Sequence, residues 1–136
     1  MTNTRTVTRS RTFRGATAAA LLGAAALVLT ACSGSASVAD TSWGTLDTRG
    51  EPAMTFTADG KAFGTDGCNI VNGTWTEEKG KITFGPLAST MMFCEGVDTW
   101  LTGASTAVVE GDKISFSDEE GKKIGSLKKT EFTAPE

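Results

Sequence analysis

The chain has 136 residues, 13 basic against 16 acidic, and contains neither histidine nor tyrosine. The missing histidine excludes Ser-His-Asp and Cys-His catalysis and every histidine-bearing zinc site. The acidic balance repels phosphate backbones, which excludes nucleic acid as a natural partner.

The N-terminus is built differently from the rest. Arg5, Arg9, Arg11 and Arg14 make it basic, and no acidic residue precedes Asp40. Residues 15–31 are apolar apart from two threonines. About 17 such residues lie at the lower edge of what crosses a bilayer. A basic start, a short apolar core and small residues at its end define a secretory signal over residues 1–31. Its last residues and the next one, Leu29-Thr30-Ala31-Cys32, resemble the lipobox of bacterial lipoproteins. That resemblance implies a diacylglycerol on the Cys32 thiol and cleavage just before it, and leaves open whether the freed amine also takes a fatty acyl chain such as palmitate. Two or three acyl chains meet the two-signal requirement for stable anchoring. The alternatives are an uncleaved anchor helix or an ordinary secretory signal. Arg9-Ser10-Arg11 is not a consecutive arginine pair, which argues against twin-arginine export.

Four arginines leave with the signal, so the remaining chain carries 9 basic and 16 acidic residues, a net charge of −7. Such a surface is repelled by anionic headgroups, leaving the lipid to hold it at a membrane. Residues 32–41 are the lipidated cysteine and a small, polar stretch that reads as a flexible tether. Residues 42–129 suit one domain with one core, and residues 130–136 form a loose tail. No internal repeat is present.

From Trp43 onward turn pairs punctuate the chain: Asp59-Gly60, Lys79-Gly80, Gly111-Asp112 and Glu120-Gly121. Met54-Thr55-Phe56-Thr57-Ala58 alternates before the first pair, a hairpin signal. Lys81-Ile82-Thr83-Phe84 and Lys113-Ile114-Ser115-Phe116 turn their second and fourth residues inward. Residues 122–127 make a last strand, with Ile124 and Leu127 less regularly spaced. Short strands between glycine turns predict a mainly β domain, a barrel or sandwich. Residues 95–104 differ: Val97, Trp100, Leu101 and Ala104 fall at helical spacing. Gly96 and Gly103 limit that helix to about two turns, with Trp100 and Leu101 closing one end of the core.

Two blocks carry a second resemblance. The first is Gly64-Thr65-Asp66-Gly67-Cys68-Asn69 followed by Gly73-Thr74-Trp75; the second runs from Ile82 through Thr90-Met91-Met92-Phe93-Cys94. Together, in this order, they resemble the META/HslJ-like domain family. The resemblance extends loosely from Trp43 to Leu127. It implies a small, mostly antiparallel β-barrel-like domain with a helix after Cys94, which in this chain would be the one short helix. Family members usually have a longer helix there, with a glutamate and several leucines. This chain offers only Asp98, Trp100 and Leu101 before Gly103.

The motif residues have structural roles to fill. Gly64, Gly67 and Gly73 suit positive-φ or bulge positions where a side chain would clash. Asn69 suits a turn, Trp75 a core site with its indole N–H on a carbonyl, and Thr90 a bond to backbone beside Asn69. Setting aside the lipidated Cys32, Cys68 and Cys94 remain, and an even pair in an exported chain is expected to be oxidised. Buried thiols or a redox pair are the alternatives, but no Cys-x-x-Cys motif is present.

Further chemistry is sparse. No glycine-rich phosphate loop occurs. Glu77-Glu78 and Asp118-Glu119-Glu120 border turn glycines, yet their spacing fails the EF-hand pattern. Serines and lysines exist in number, but nothing places a lysine in a dry pocket beside a serine. The expectation is a non-enzymatic, membrane-anchored module without cofactor or metal. Its partners would be the membrane, through the lipid, and another envelope protein, the domain itself being a monomer. The family resemblance adds a link to stress and drug tolerance. The candidate contact face is formed by the loops over residues 66–72 and 87–93. There Met91, Met92 and Phe93 make an apolar run, placed either as a binding surface or as core plus rim. A second class is a carrier of a small apolar molecule in the barrel mouth. Filling of the interior by Phe56, Ile82, Phe84, Ile114 and Phe116 would oppose it.

Overall fold

A computed structural model describes residues 36–132. The expected signal over residues 1–31, the lipidation site Cys32, the start of the tether and the last four residues lie outside this range. Nine strands follow one another: β1 (Thr41–Gly44), β2 (Ala53–Phe56), β3 (Lys61–Thr65), β4 (Ile70–Glu78), β5 (Lys81–Phe84), β6 (Ala88–Ser89), β7 (Thr106–Glu110), β8 (Lys113–Ser117) and β9 (Lys123–Thr130). All except β6 close into one eight-stranded antiparallel barrel. Each strand pairs with the next, β5 passes directly to β7, and β9 returns to β1 through Ser42 opposite Thr130. Closure removes the exposed edges that an open sheet leaves to solvent.

The turn pairs sit where the sequence places them. Lys79 and Gly80 both have positive φ, at 53° and 78°, the geometry a two-residue hairpin needs. Gly60, Gly111 and Gly121 take positive φ in the other hairpins. The uneven spacing of Ile124 and Leu127 also has a cause. Phe116 faces Gly125 while Ser117 faces Lys123, so Ile124 is the extra residue of a β-bulge.

β4 is long enough to serve several partners. Residues 70–74 pair with β3, and residues 75–78 pair with β5. β6 continues the line of β5 along β4 after a break at Gly85-Pro86-Leu87. Trp75 faces Phe84, but Asn72 faces Ala88, one residue more on the β5–β6 side. Gly73 makes room for this bulge, because a Cβ there would meet Leu87 Cδ2 at 2.6 Å.

The interior is filled. Trp43, Met54, Phe56, Ile82, Leu101, Ile114 and Phe116 are each at most 2% exposed. Rings run through it in contact: Trp75 on Phe56 at 5.6 Å, Phe56 on Phe84 at 5.9 Å, Phe84 on Phe116 at 6.0 Å and Phe116 on Trp100 at 5.5 Å. Such pairs add about 0.5–1.5 kcal/mol each beyond area burial.

The two ends of the barrel differ. At one end lie the hairpins around Gly60, Lys79-Gly80 and Gly111, with the start of β1 and the finish of β9. The other end is crossed by the segment over residues 90–104. The helix expected over residues 95–104 is a single 3-10 turn, Trp100–Gly103, with no side-chain cap at Thr99. Gly96 at φ 75° breaks the backbone before it. Val97 therefore packs from irregular chain, near Gly50 and Gly67, while Leu101 and Ala104 are buried as plugs.

One boundary needs correction. The tether expected over residues 32–41 is already docked at Val38, which is 1% exposed. Glu77 Oε2 accepts from the Ser37 hydroxyl at 3.0 Å and the Val38 N–H at 3.2 Å. Val38 behaves as core because the side of Trp43 needs covering at the hairpin end.

Candidate functional site

The candidate face lies at the end opposite to where the chain enters. Its base is the loop between β3 and β4. Asp66, fully buried, accepts with Oδ1 from the Cys68 N–H at 2.8 Å and the Asn69 N–H at 2.6 Å. This is the turn that an aspartate forms with backbone two and three residues on. Gly67 supplies the φ of 95° that the turn requires. Its carbonyl also accepts from the Gly50 N–H at 2.9 Å, tying the β1–β2 loop to the same base. Gly64 has ordinary φ; it is needed for space, since a Cβ would lie 2.0 Å from the Ala53 carbonyl oxygen.

Asn69 is the latch. Its Oδ1 accepts from the Met92 N–H at 2.6 Å and the Thr90 hydroxyl at 3.1 Å. Its Nδ2 donates to Asp66 Oδ2 and the Met92 carbonyl, each at 3.3 Å. Thr90 Oγ1 in turn accepts from the Ile70 N–H at 3.0 Å. Each hydrogen-bonding site of the Asn69 carboxamide has a partner within this one loop pair. Cys68 and Cys94 are joined by a disulfide with Cα atoms 5.8 Å apart. The 88–94 segment is thus held by β6 at one end and a covalent bond at the other.

This frame presents apolar side chains to water. Met91 is 96% exposed, Met92 61% and Phe93 92%. The core-plus-rim alternative fails, because none of the three is buried. Ile70, beside Thr90, is 60% exposed, and Leu46 lines with Met92 an open groove of about 450 Å³. These exposed apolar groups lie close together on one face.

The other motif residues are elsewhere. Trp75 lies in the barrel wall, with its indole N–H shared between the Lys61 and Thr57 carbonyls at 3.0 and 3.2 Å. Gly73 serves the β5–β6 bulge. Asp66 is the residue that sequence reading passed over. Its signal was present, an aspartate two and three residues before Cys68 and Asn69 with a glycine between, which is an Asx-turn pattern. Among the described residues no three histidine, cysteine or carboxylate side chains converge as metal ligands.

The arrangement holds an apolar loop in place through Asn69, Thr90 and the disulfide. The META domain profile matches residues 21–131. The chain belongs to the META domain family. No curated protein and no solved structure matches it. The META membership agrees with the closed barrel and with the two blocks that meet at this face, around Cys68-Asn69 and Thr90–Cys94.

Proposed function

We propose that this META domain is a non-catalytic, lipid-anchored envelope module that captures another envelope protein through the Met91-Met92-Phe93 loop, in support of envelope stress tolerance. The observation that carries the reading is the loop itself: three exposed apolar side chains on a latched, disulfide-closed frame. Its position supports the reading further. The chain enters at the hairpin end, through Val38 and β1, so a lipid on Cys32 would leave the loop facing away from the anchoring side. Preorganised apolar loops lose little conformational entropy on binding. A ligand-carrier role is disfavoured by the ring-filled interior.

The test uses whole cells. A photo-crosslinking side chain at Phe93 should give a discrete protein adduct, and the same probe at Lys79, at the opposite end, should give none. A clickable fatty acid should label the chain and be lost in Cys32→Ala. Equal patterns at both crosslinking positions, or none at either, would remove the loop as the contact site.

A further inference from the structure

The barrel is closed, yet one strand edge is left over. β6 pairs with β4 on one side and, among the described residues, with no strand on the other. The segment that follows stays against β4 through Thr90 and Met92, although the Ile70 N–H donates to Thr90 Oγ1 and the Thr90 carbonyl accepts from the Ser89 hydroxyl at 2.9 Å. The Thr90 N–H donates to the Ile70 carbonyl at 3.1 Å and the Met92 N–H to Asn69 Oδ1 at 2.6 Å. Backbone groups of successive residues in an extended segment point to opposite sides. Ser89 therefore turns its N–H and C=O outward. The Met91 C=O and the Phe93 N–H point the same way, since their peptide partners at Met92 face Asn69; among the described residues nothing accepts from the Met91 N–H. Natural edges are blunted by lysine, proline or a bulge. Here the bulge and Pro86 lie before the edge, and residues 88–93 contain neither lysine nor proline. Met91 and Phe93, both exposed, follow on this segment.

Charge selects the occupant. Beside the edge, an open cleft of about 670 Å³ runs between residues 84–87 and 102–105, and Asp118, Glu119 and Glu120 line it. Glu95 and Asp98 follow the loop directly. Six of the nine cations of the described chain, Lys61, Lys79, Lys81, Lys113, Lys128 and Lys129, belong to the opposite end. Arg49 lines the groove with Met92, and Lys122 and Lys123 follow the acidic turn, so carboxylates still outnumber cations at this end. A second copy would bring its own carboxylates to the same place, and an anionic bilayer would be repelled. We propose that an extended, lysine- or arginine-bearing segment of a partner protein adds as a strand along residues 89–93. Its backbone pairs with Ser89 and Met91, its apolar residues meet Met91 and Phe93, and its cations meet the cleft carboxylates. This is strand addition to a sheet edge, and it rests on the contact role proposed above for the loop.

The probes are two fluorescein-labelled nine-residue peptides, one alternating valine with lysine, the other valine with glutamate. Binding to the full-length chain in detergent is read by anisotropy, and hydrogen exchange maps the footprint. The lysine peptide should bind at least tenfold tighter than the glutamate peptide and slow exchange in residues 88–94. Met91→Pro, which removes an N–H that has no acceptor among the described residues, should weaken it tenfold or more. Met91→Ala keeps that N–H and should weaken it less than threefold. Equal affinity for both peptides, absence of binding, or equal effects of proline and alanine would overturn strand addition. The footprint on the unaltered chain decides the matter even if Met91→Pro misfolds: protection elsewhere overturns the proposal. If the peptide fails while the Phe93 crosslink persists, strand addition falls and the contact role stands; if both fail, both fall.

Discussion

The Asn69 carboxamide pairs with the Met92 backbone as a neighbouring strand would, accepting from its N–H at 2.6 Å and donating to its carbonyl at 3.3 Å. One side chain extends the β4–β6 ladder past the point where the main chains diverge. Asn69→Ala should cost about 1–3 kcal/mol, the range for leaving such groups without partners. Asn69→Asp keeps the shape but sets a carboxylate against Asp66 Oδ2, now 3.3 Å from Nδ2. It should be the worse variant at neutral pH. Chemical denaturation of the two variants side by side checks the order.

The Cys68–Cys94 bond closes a loop with a sequence separation of 26. In the chain-entropy account this stabilises by about 3.5 kcal/mol. Cys68→Ser and Cys94→Ser should each lower Tm by roughly 15–25 °C, taking about 4–8 °C per kcal/mol. The double variant should be no worse than either single one. Additive losses in calorimetry would show that the two residues act separately.

Two glycines should fail for different reasons. Gly64→Ala drives a Cβ to 2.0 Å from the Ala53 carbonyl oxygen and against other backbone atoms of β2, which cannot swing aside as a flexible side chain would. A loss of about 3 kcal/mol or more is expected. Gly121 has φ 81° and open space around it. Gly121→Ala should cost only about 1–2 kcal/mol, from left-handed backbone alone. Urea midpoints with unchanged slopes separate the two.

Phe93→Glu should alter stability by no more than about 0.5 kcal/mol, because an exposed side chain is removed from no packing. The same change should abolish crosslinking from a probe at Met91. Retained crosslinking with unchanged Tm would exclude Phe93 from the contact.

Asp59 titrates below the usual carboxylate range, held there first by the Thr57 hydroxyl and then by Lys61. A depressed folded-state pKa stabilises above the unfolded value and ceases to do so as pH falls through the folded one. Thr57→Ala should move the Asp59 titration upward in NMR and remove this part of the acid dependence. An unmoved titration would shift the cause to Lys61.

The strands whose alternation is strict were legible. β5 and β8 place Ile82, Phe84, Ile114 and Phe116 inward, as the two-residue period dictates. β7 was not, because Ala107 is buried while the larger Val108 is 44% exposed, so hydrophobicity does not follow the pleat. The 95–104 segment misled in the other direction. Helical spacing was present, but the inward residues reach the core from irregular chain and one 3-10 turn, and Gly96 prevents a longer helix. Closure of β9 onto β1 is a relation across the whole domain that no local pattern encodes. At the candidate face, the pairing of Cys68 with Cys94 followed from counting. The Asn69 latch did not, because its partner is 23 residues away.

Entry at one end and the contact loop at the other give the barrel a mechanical polarity. A pull between Ala36 and Phe93 runs lengthwise along β1 and β4. Ladder hydrogen bonds lie across the strands, so such tension loads many of them together in shear instead of peeling them singly. The two residue pairs of β6 are the weakest link in that path, and the Cys68–Cys94 bond bypasses them. A pull applied through the Met91–Phe93 loop would therefore pass by the disulfide into the barrel, past β6.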